Sequence, residues 1–345
     1  MARTTVYNSI TSKEKLDKID PENLQLGEDW LEYMQSIDRS PKSIVGYRSD
    51  LRIFWVWNME FNNNKFFTKL TKREIAKFQN HAINVWGWSP NRIRRVKSCL
   101  SSLSNYIENV LDDEEAFEDF RPIIRKIENP NKEAVREKTV LPDETIDFLL
   151  KTLVERKEYE KACAVAIAAY SGMRKSELLQ MKVEYFDENH FVYDSMWKTD
   201  KIRTKGFGRL GKPLNKFILY GAKPYLDLWL NERNEKGINS DYLFVSKTKD
   251  ANGDIVWKVR QDLTHWTDEF SAIIGMAFYF HCERHFTCTK LHRMNLPAHV
   301  IQEFFGWTSS EMLNIYNDLS AEDEFGKYFD KNGVKEIKQG SLSEV

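Results

Sequence analysis

Six side chains in the second half of this 345-residue sequence are of types that handle phosphate chemistry: Arg174, Lys198, His281, Arg284, Trp307 and Tyr316. Two guanidinium forks can bind phosphodiester oxygens in parallel, and a lysine can donate a proton. An imidazole, an indole N–H and a phenol supply a base, a further donor and a nucleophile. Singly, each has a plainer role. Arg174 opens a helix after the glycine turn of YSGMRKSELLQM, and Glu177, on the same helical face, can hold it in an ordinary salt bridge. Tyr316 ends a short helical stretch just before Asn317 and Asp318, residues that favour turns and caps, where its ring could equally close a hydrophobic core. His281 and Arg284 share one helical face at i, i+3. Together the set is what attack on a phosphodiester requires when cationic side chains stand in for a metal.

Two competing motifs are set aside. HCERH (281–285) spaces two histidines like metal ligands, but Cys282 stands where a zinc protease has its glutamate. Cys288, His292 and His299 complete no tetrahedral set of usual spacing, so no metal is expected. GFGRLG (206–211) has the glycine spacing of a dinucleotide loop, yet it sits in a basic, strand-like stretch followed by Lys212–Pro213. A hairpin tip is expected there, and no cofactor.

The net charge of −1 hides segregation. Asp38 to Glu108 holds 13 Lys and Arg against 5 Asp and Glu, and Ser195 to Lys216 holds 7 against 1. The acids collect in DDEEAFED (112–119) and in the segment after Tyr316, with 7 acidic against 4 basic residues. Basic blocks separated from acidic ones point to surfaces facing a polyanion. The residues singled out for such contacts are Lys42, Arg48, Arg92, Arg94, Arg95 and Lys97 in the first block, and Lys201, Arg203 and Lys205 in the second. No apolar run reaches the roughly 18 residues of a membrane span, and the first residues carry no apolar signal region. Four scattered cysteines without CxxC spacing fit reduced thiols, so a cytoplasmic protein is expected.

The elements that must position these residues fall into two halves, as a chain of this length leads one to expect. Residues 1–20 read as a loose tail, and 21–127 as a helical bundle whose aromatics recur every three or four positions, as in SPKSIVGYRSDLRIFWVWNM. The polar, aperiodic ENPNKEAVREKT (128–139) reads as a linker, 140–330 as a mixed but mainly helical domain, and 331–345 as a tail. Strands are expected in HFVYDSM and DYLFVS, and helices at 223–234, 261–276, 281–292, 297–305 and 308–316.

The motifs then resemble those of the tyrosine recombinases, the family of phage integrases and of the Xer and Cre recombinases. The family's Gly–x–Arg–x–x–Glu box reads here as GMRKSE, its His–x–x–Arg box as HCERHF, and its Gly–His/Trp box with a tyrosine nine residues on as GWTSSEMLNIY. Lys198 follows Arg174 by 24 residues and Trp307 follows Arg284 by 23, both as in the family. SIVGYRSDLRIFWVW is similar to the signature of its helical core-binding domain. The likeness covers most of the chain. It departs where Trp307 replaces the commoner histidine, a change active members also show, which removes proton transfer from that position's expected role.

The resemblance implies a mainly α fold with a small β-sheet (α+β): an N-terminal helical core-binding bundle and a C-terminal catalytic domain, together a C-shaped clamp on duplex DNA. It implies Tyr316 as nucleophile, Arg174 and Arg284 on the scissile phosphate, His281 as base, Trp307 as phosphate partner or buttress, and Lys198 as general acid, with Lys201 and Lys205 as competitors. Glu177 and His285 would support them. The partners implied are duplex DNA with specific sites, other copies of the chain in a synaptic tetramer, and room for an accessory directionality or DNA-bending protein. SAEDEFGKYF (320–329) would dock on a neighbouring copy or on its own domain. With some twenty residues ahead of the bundle, no separate arm-binding domain is expected. A type IB topoisomerase or telomere resolvase would use the same chemistry, and a non-catalytic regulator the same fold. The intact, ordered boxes favour a recombinase.

Overall fold

Caps followed by prolines set the helices of the first half. In the computed structural model, residues 10–131, 141–206 and 211–316 are described, with Phe325 and the backbone of a short strand pair, Phe329–Asp330 and Gly333–Val334. Helix α1 (Lys13–Leu16) is a single turn. The helices α2 (Pro21–Ser36) and α3 (Pro41–Phe61) start on proline behind the cap oxygens of Asp20 and Ser40. Proline suits the first turn because its missing N–H has no partner there anyway. α4 (Lys72–Asn84) opens with the reciprocal Thr71–Glu74 capping box, and α5 (Pro90–Val110) starts on proline behind Ser89. Their apolar faces enclose Trp30, Phe54, Trp55, Trp57 and Phe78, with Phe54 and Phe78 edge to face at 5.0 Å.

Order starts earlier than the loose tail expected for 1–20. Ile10 and Ile19 are buried in this core, and Asn64 binds both the Lys18 carbonyl and the Asp20 amide. Of the expected linker, 132–139 lies outside the described residues.

The second compact unit is built from the residues after 140. α6 (Asp143–Glu155) leads into α7 (Tyr159–Ser171), in which every residue from Ala162 to Ala169 is buried. Its small side chains let α6, and two helices described below, pack close around it. After the single turn α8 (Lys175–Leu178) come β1 (Phe191–Val192), β2 (Met196–Lys198), β3 (Ile202–Thr204), β4 (Lys212–Leu214) and β5 (Phe217–Leu219). β1, β2 and β5 form an antiparallel sheet in that order, with Lys198 opposite Phe217, while β3 and β4 form a hairpin. HFVYDSM is therefore a whole hairpin rather than one strand, turning at Tyr193 and Asp194 with φ of 56° and 50°.

α9 (Lys223–Glu235) follows, then the hairpin of β6 (Val245–Lys249) and β7 (Ile255–Val259), α10 (Thr267–Ile274), α11 (Phe280–Arg293), α12 (Ala298–Phe305) and α13 (Glu311–Tyr316). α9 and α11 are the two helices that complete the packing on α7. No helix among the described residues is long and apolar enough to cross a membrane.

Candidate active site

α11 carries its chemistry into the protein interior: from Cys282 to Thr289 every residue is buried. Arg284 is fully buried, and its guanidinium lies 4.7 Å from the Phe305 ring centre, 5.0 Å from Trp307 and 5.3 Å from Tyr316. Nη1 donates to the Gly172 carbonyl at 2.7 Å, whereas Nε and Nη2 have no acceptor among the described residues. Burial, then the positive charge of Arg174, holds its pKa down to about 10, so it is a cation at neutral pH. The buried Nε1 of Trp307 is unpaired as well. Buried N–H donors are normally satisfied, so these donors mark a place for an anion's oxygens.

Tyr316 shares this space. Its ring is nearly parallel to Trp307 at 5.1 Å and lies 4.7 Å from His285, and its hydroxyl is 2.9 Å from His281 Nε2. Partial withdrawal from water, then His285, Arg284, Arg174 and Lys205, hold the His281 pKa down to about 4. His281 is thus a neutral imidazole at pH 7, and with its proton on Nδ1 it accepts a hydrogen bond from the Tyr316 hydroxyl.

Arg174 follows the α7 terminus. Gly172 ends that helix with φ of 60°, and a Cβ there would meet Phe305 Cε1 at 2.2 Å, so glycine meets both the backbone and the packing requirement. Glu177 is fully buried; Oε1 accepts from Arg174 Nη1 at 2.9 Å and Oε2 from the Arg174 amide at 3.0 Å. Burial alone would raise the Glu177 pKa, but Lys216, the Arg174 amide and the two arginines outweigh it and hold it below the ordinary value. The sequence reading missed Lys216, which is 3 % exposed with Nζ 3.2 Å from Glu177 Oε2. The available signal was strand alternation, which puts Lys216 on the face of the buried Ile218 two residues on.

The three candidate lysines lie at different places on the sheet and its hairpin. Lys198 sits on β2 with its ammonium 5.9 Å from the Phe217 ring centre. Lys205, just past β3, is the lysine whose charge acts on His281, and Lys201 is exposed between the strands. The Arg203 backbone is clasped on both sides by the Gln180 amide. The tip 207–210 lies outside the described residues.

In the bundle, Lys42 is exposed. Arg48 is held by Glu28 at 2.9 and 2.6 Å, and Arg94 donates to the Pro130 carbonyl at 2.9 Å. Arg92 and Arg95 grip the buried Asp50 at 2.8 and 3.0 Å. Lys97 is corrected: it is 3 % exposed and donates to Gln79 and to the Ile127 and Glu128 carbonyls, so it braces the bundle and cannot meet a phosphate. Among the described residues no cluster of three His, Cys, Asp or Glu could hold a metal.

Comparison with known proteins places this geometry. Residues 139–323 match the phage integrase family, and 26–115 its N-terminal SAM-like domain. The chain is 32 % identical over 232 residues to the SPbeta prophage-derived recombinase-like protein YomM of Bacillus subtilis (strain 168), covering 67 % of each chain. It is 23 % identical over 342 residues to the tyrosine recombinase XerS of Lactococcus lactis subsp. cremoris (strain MG1363), covering 85 % of this chain and 92 % of that one. The fold is similar to that of XerH site-specific recombinase bound to its palindromic difH substrate, with a TM-score of 0.60 at 17 % identity over 93 % of this chain and 89 % of that one. Matched in both halves, the chain belongs to the phage integrase family, the tyrosine recombinases.

Proposed function

We propose that this protein recombines duplex DNA at specific sites through a covalent phosphotyrosine on Tyr316, as part of a mobile element. One observation carries the reading: a tyrosine hydroxyl 2.9 Å from a neutral imidazole, beside a buried guanidinium with unpaired donors. The Tyr316 oxygen attacks phosphorus as its proton passes to His281, and the bond from phosphorus to the 5′-oxygen breaks. Arg174 and Arg284 stabilise the charge that builds on the non-bridging oxygens, and the Trp307 N–H adds a donor. A 5′-hydroxyl from a second duplex reverses the step and releases Tyr316. Two duplexes cut on both strands need four such tyrosines, so four copies act together on DNA. The prophage origin of YomM supports the mobile-element setting.

For the leaving 5′-oxygen the candidates remain Lys198, Lys201 and Lys205, and Lys205 is tested first because its charge is among those acting on His281. The test uses nicked duplexes of DNA flanking the protein's own gene, read on denaturing gels. Tyr316→Phe binds DNA but forms no adduct; an adduct surviving in it would sink the assignment. With a 5′-bridging sulfur, whose thiolate leaves without a proton, Lys205→Ala recovers near wild-type cleavage. Selective recovery by Lys198→Ala would return the role to Lys198.

A further inference from the structure

Lys216 belongs to no box of the family and carries no role in the reaction as written, yet it is buried among the groups that do. Its backbone is pinned: the amide donates to Thr199 Oγ1 at 3.0 Å, and the carbonyl accepts from the Thr199 amide at 2.9 Å. The side chain then runs inward to two acceptors, Glu177 Oε2 at 3.2 Å and the Phe305 carbonyl at 3.4 Å. Glu177 is the carboxylate that grips Arg174. Phe305 closes α12, where backbone carbonyls lack helical partners and a cation is favoured. Two residues later comes Trp307, and α13 with Tyr316 follows.

Resting on the function proposed above, we propose that Lys216 is a positioning residue for cleavage: its buried ammonium ties the Glu177–Arg174 pair to the end of α12, and so sets the Arg174 fork in register with Trp307 and Tyr316. At 3 % exposure it is too deep to touch DNA, which separates it from the phosphate-binding residues. The charged groups facing it are Glu177 and Arg174 at α8 and Arg284 on α11; α12 presents only a carbonyl. Burial first, then the two arginines, bring its pKa down to about 8 against the opposing pull of Glu177. The tie is therefore ionic at neutral pH and loses its charge in mild alkali. Glu177 then keeps only the arginines to balance it.

The test measures single-turnover adduct formation on the nicked duplex across pH 6–10, with DNA affinity alongside, for wild type, Lys216→Met and Lys216→Arg. Lys216→Met keeps its affinity for duplex but forms adduct roughly tenfold to a hundredfold more slowly, the usual effect of a small misplacement of catalytic groups. Measured on the 5′-bridging sulfur duplex, whose leaving group needs no proton, the wild-type rate turns down above a pH of about 8, and Lys216→Arg, whose charge does not titrate there, retains activity without that turn. A Lys216→Met protein with wild-type rate and pH profile would overturn the proposal. So would affinity falling in step with rate, the signature of a DNA contact. Should Lys216→Met not fold, Lys216→Arg decides alone, because an unchanged alkaline turn in it excludes Lys216 as the source. If the wild type forms no adduct, the proposed function itself falls, and this inference with it.

Discussion

Between His281 and Arg284, Glu283 buries a carboxyl group with no hydrogen-bond partner on either oxygen among the described residues. Burial raises its pKa well above the ordinary carboxylate value, so between the unfolded and folded values the folded protein keeps a proton that the unfolded chain releases. Stability from this group is therefore fullest below the unfolded pKa of about 4.3 and is lost as pH rises above it. Glu283→Met removes both the polar group and the titration. It should stabilise the fold at pH 4.5 by about 1–3 kcal/mol, from relief of the unpaired neutral carboxyl, and by more than that at pH 7.5, where the ionisation penalty is removed as well. Thermal unfolding at the two pH values checks this; an equal gain at both would show that ionisation is not the cause. The same residue marks how far the sequence could be read. Arg174, His281, Arg284, Trp307 and Tyr316 stand out because their types suit phosphate chemistry and their order and intervals resemble the boxes of the tyrosine recombinases. Glu283, Lys97 and Lys216 have ordinary surface chemistry, and only the packing around them reveals that they are inside.

Elements were most legible where a local signal is strong. Pro41 and Pro90 announce their helices, and the 3–4-residue aromatic spacing of α3 is its core face. The hairpin of β1 and β2 was read as one strand because Tyr193–Asp194 lacks the glycine or asparagine that usually marks such a turn. β7 was passed over because its residues are half exposed and pair only with β6. Two junctions between elements make sharp tests. Asp50 is the buried anion joining α3 to α5, so Asp50→Asn should destabilise the bundle by about 3 kcal/mol and free Arg92 and Arg95 to move. Gly172 joins α7 to the catalytic turn, and Gly172→Ala should cost on the order of 1–3 kcal/mol from backbone strain alone. Displacing Phe305 would also slow cleavage. Denaturant unfolding and adduct formation check both variants.

At the scale of the whole molecule, the described residues of the bundle enclose one apolar core, and those of the catalytic half a large core and a smaller one around Phe305 and Tyr316, none shared between the halves. Calorimetry should then record two unfolding transitions, with Asp50→Asn lowering one and Gly172→Ala the other. A single transition shifted alike by both variants would contradict independent cores. The division into two halves was readable from composition and helix pattern. The burial of Ile10 and Ile19 in the bundle core was not, because isolated isoleucines in a polar stretch give no periodic signal. The order of the parts along the chain has a consequence for how the protein is made. Synthesis delivers the DNA-facing bundle first, then the turn with Arg174, then α11, and Tyr316 last of all. A chain that stalled before α13 would lack Leu313 and Tyr316, which complete the apolar cluster around Phe305, so it would lose the wall of the cationic socket together with the nucleophile.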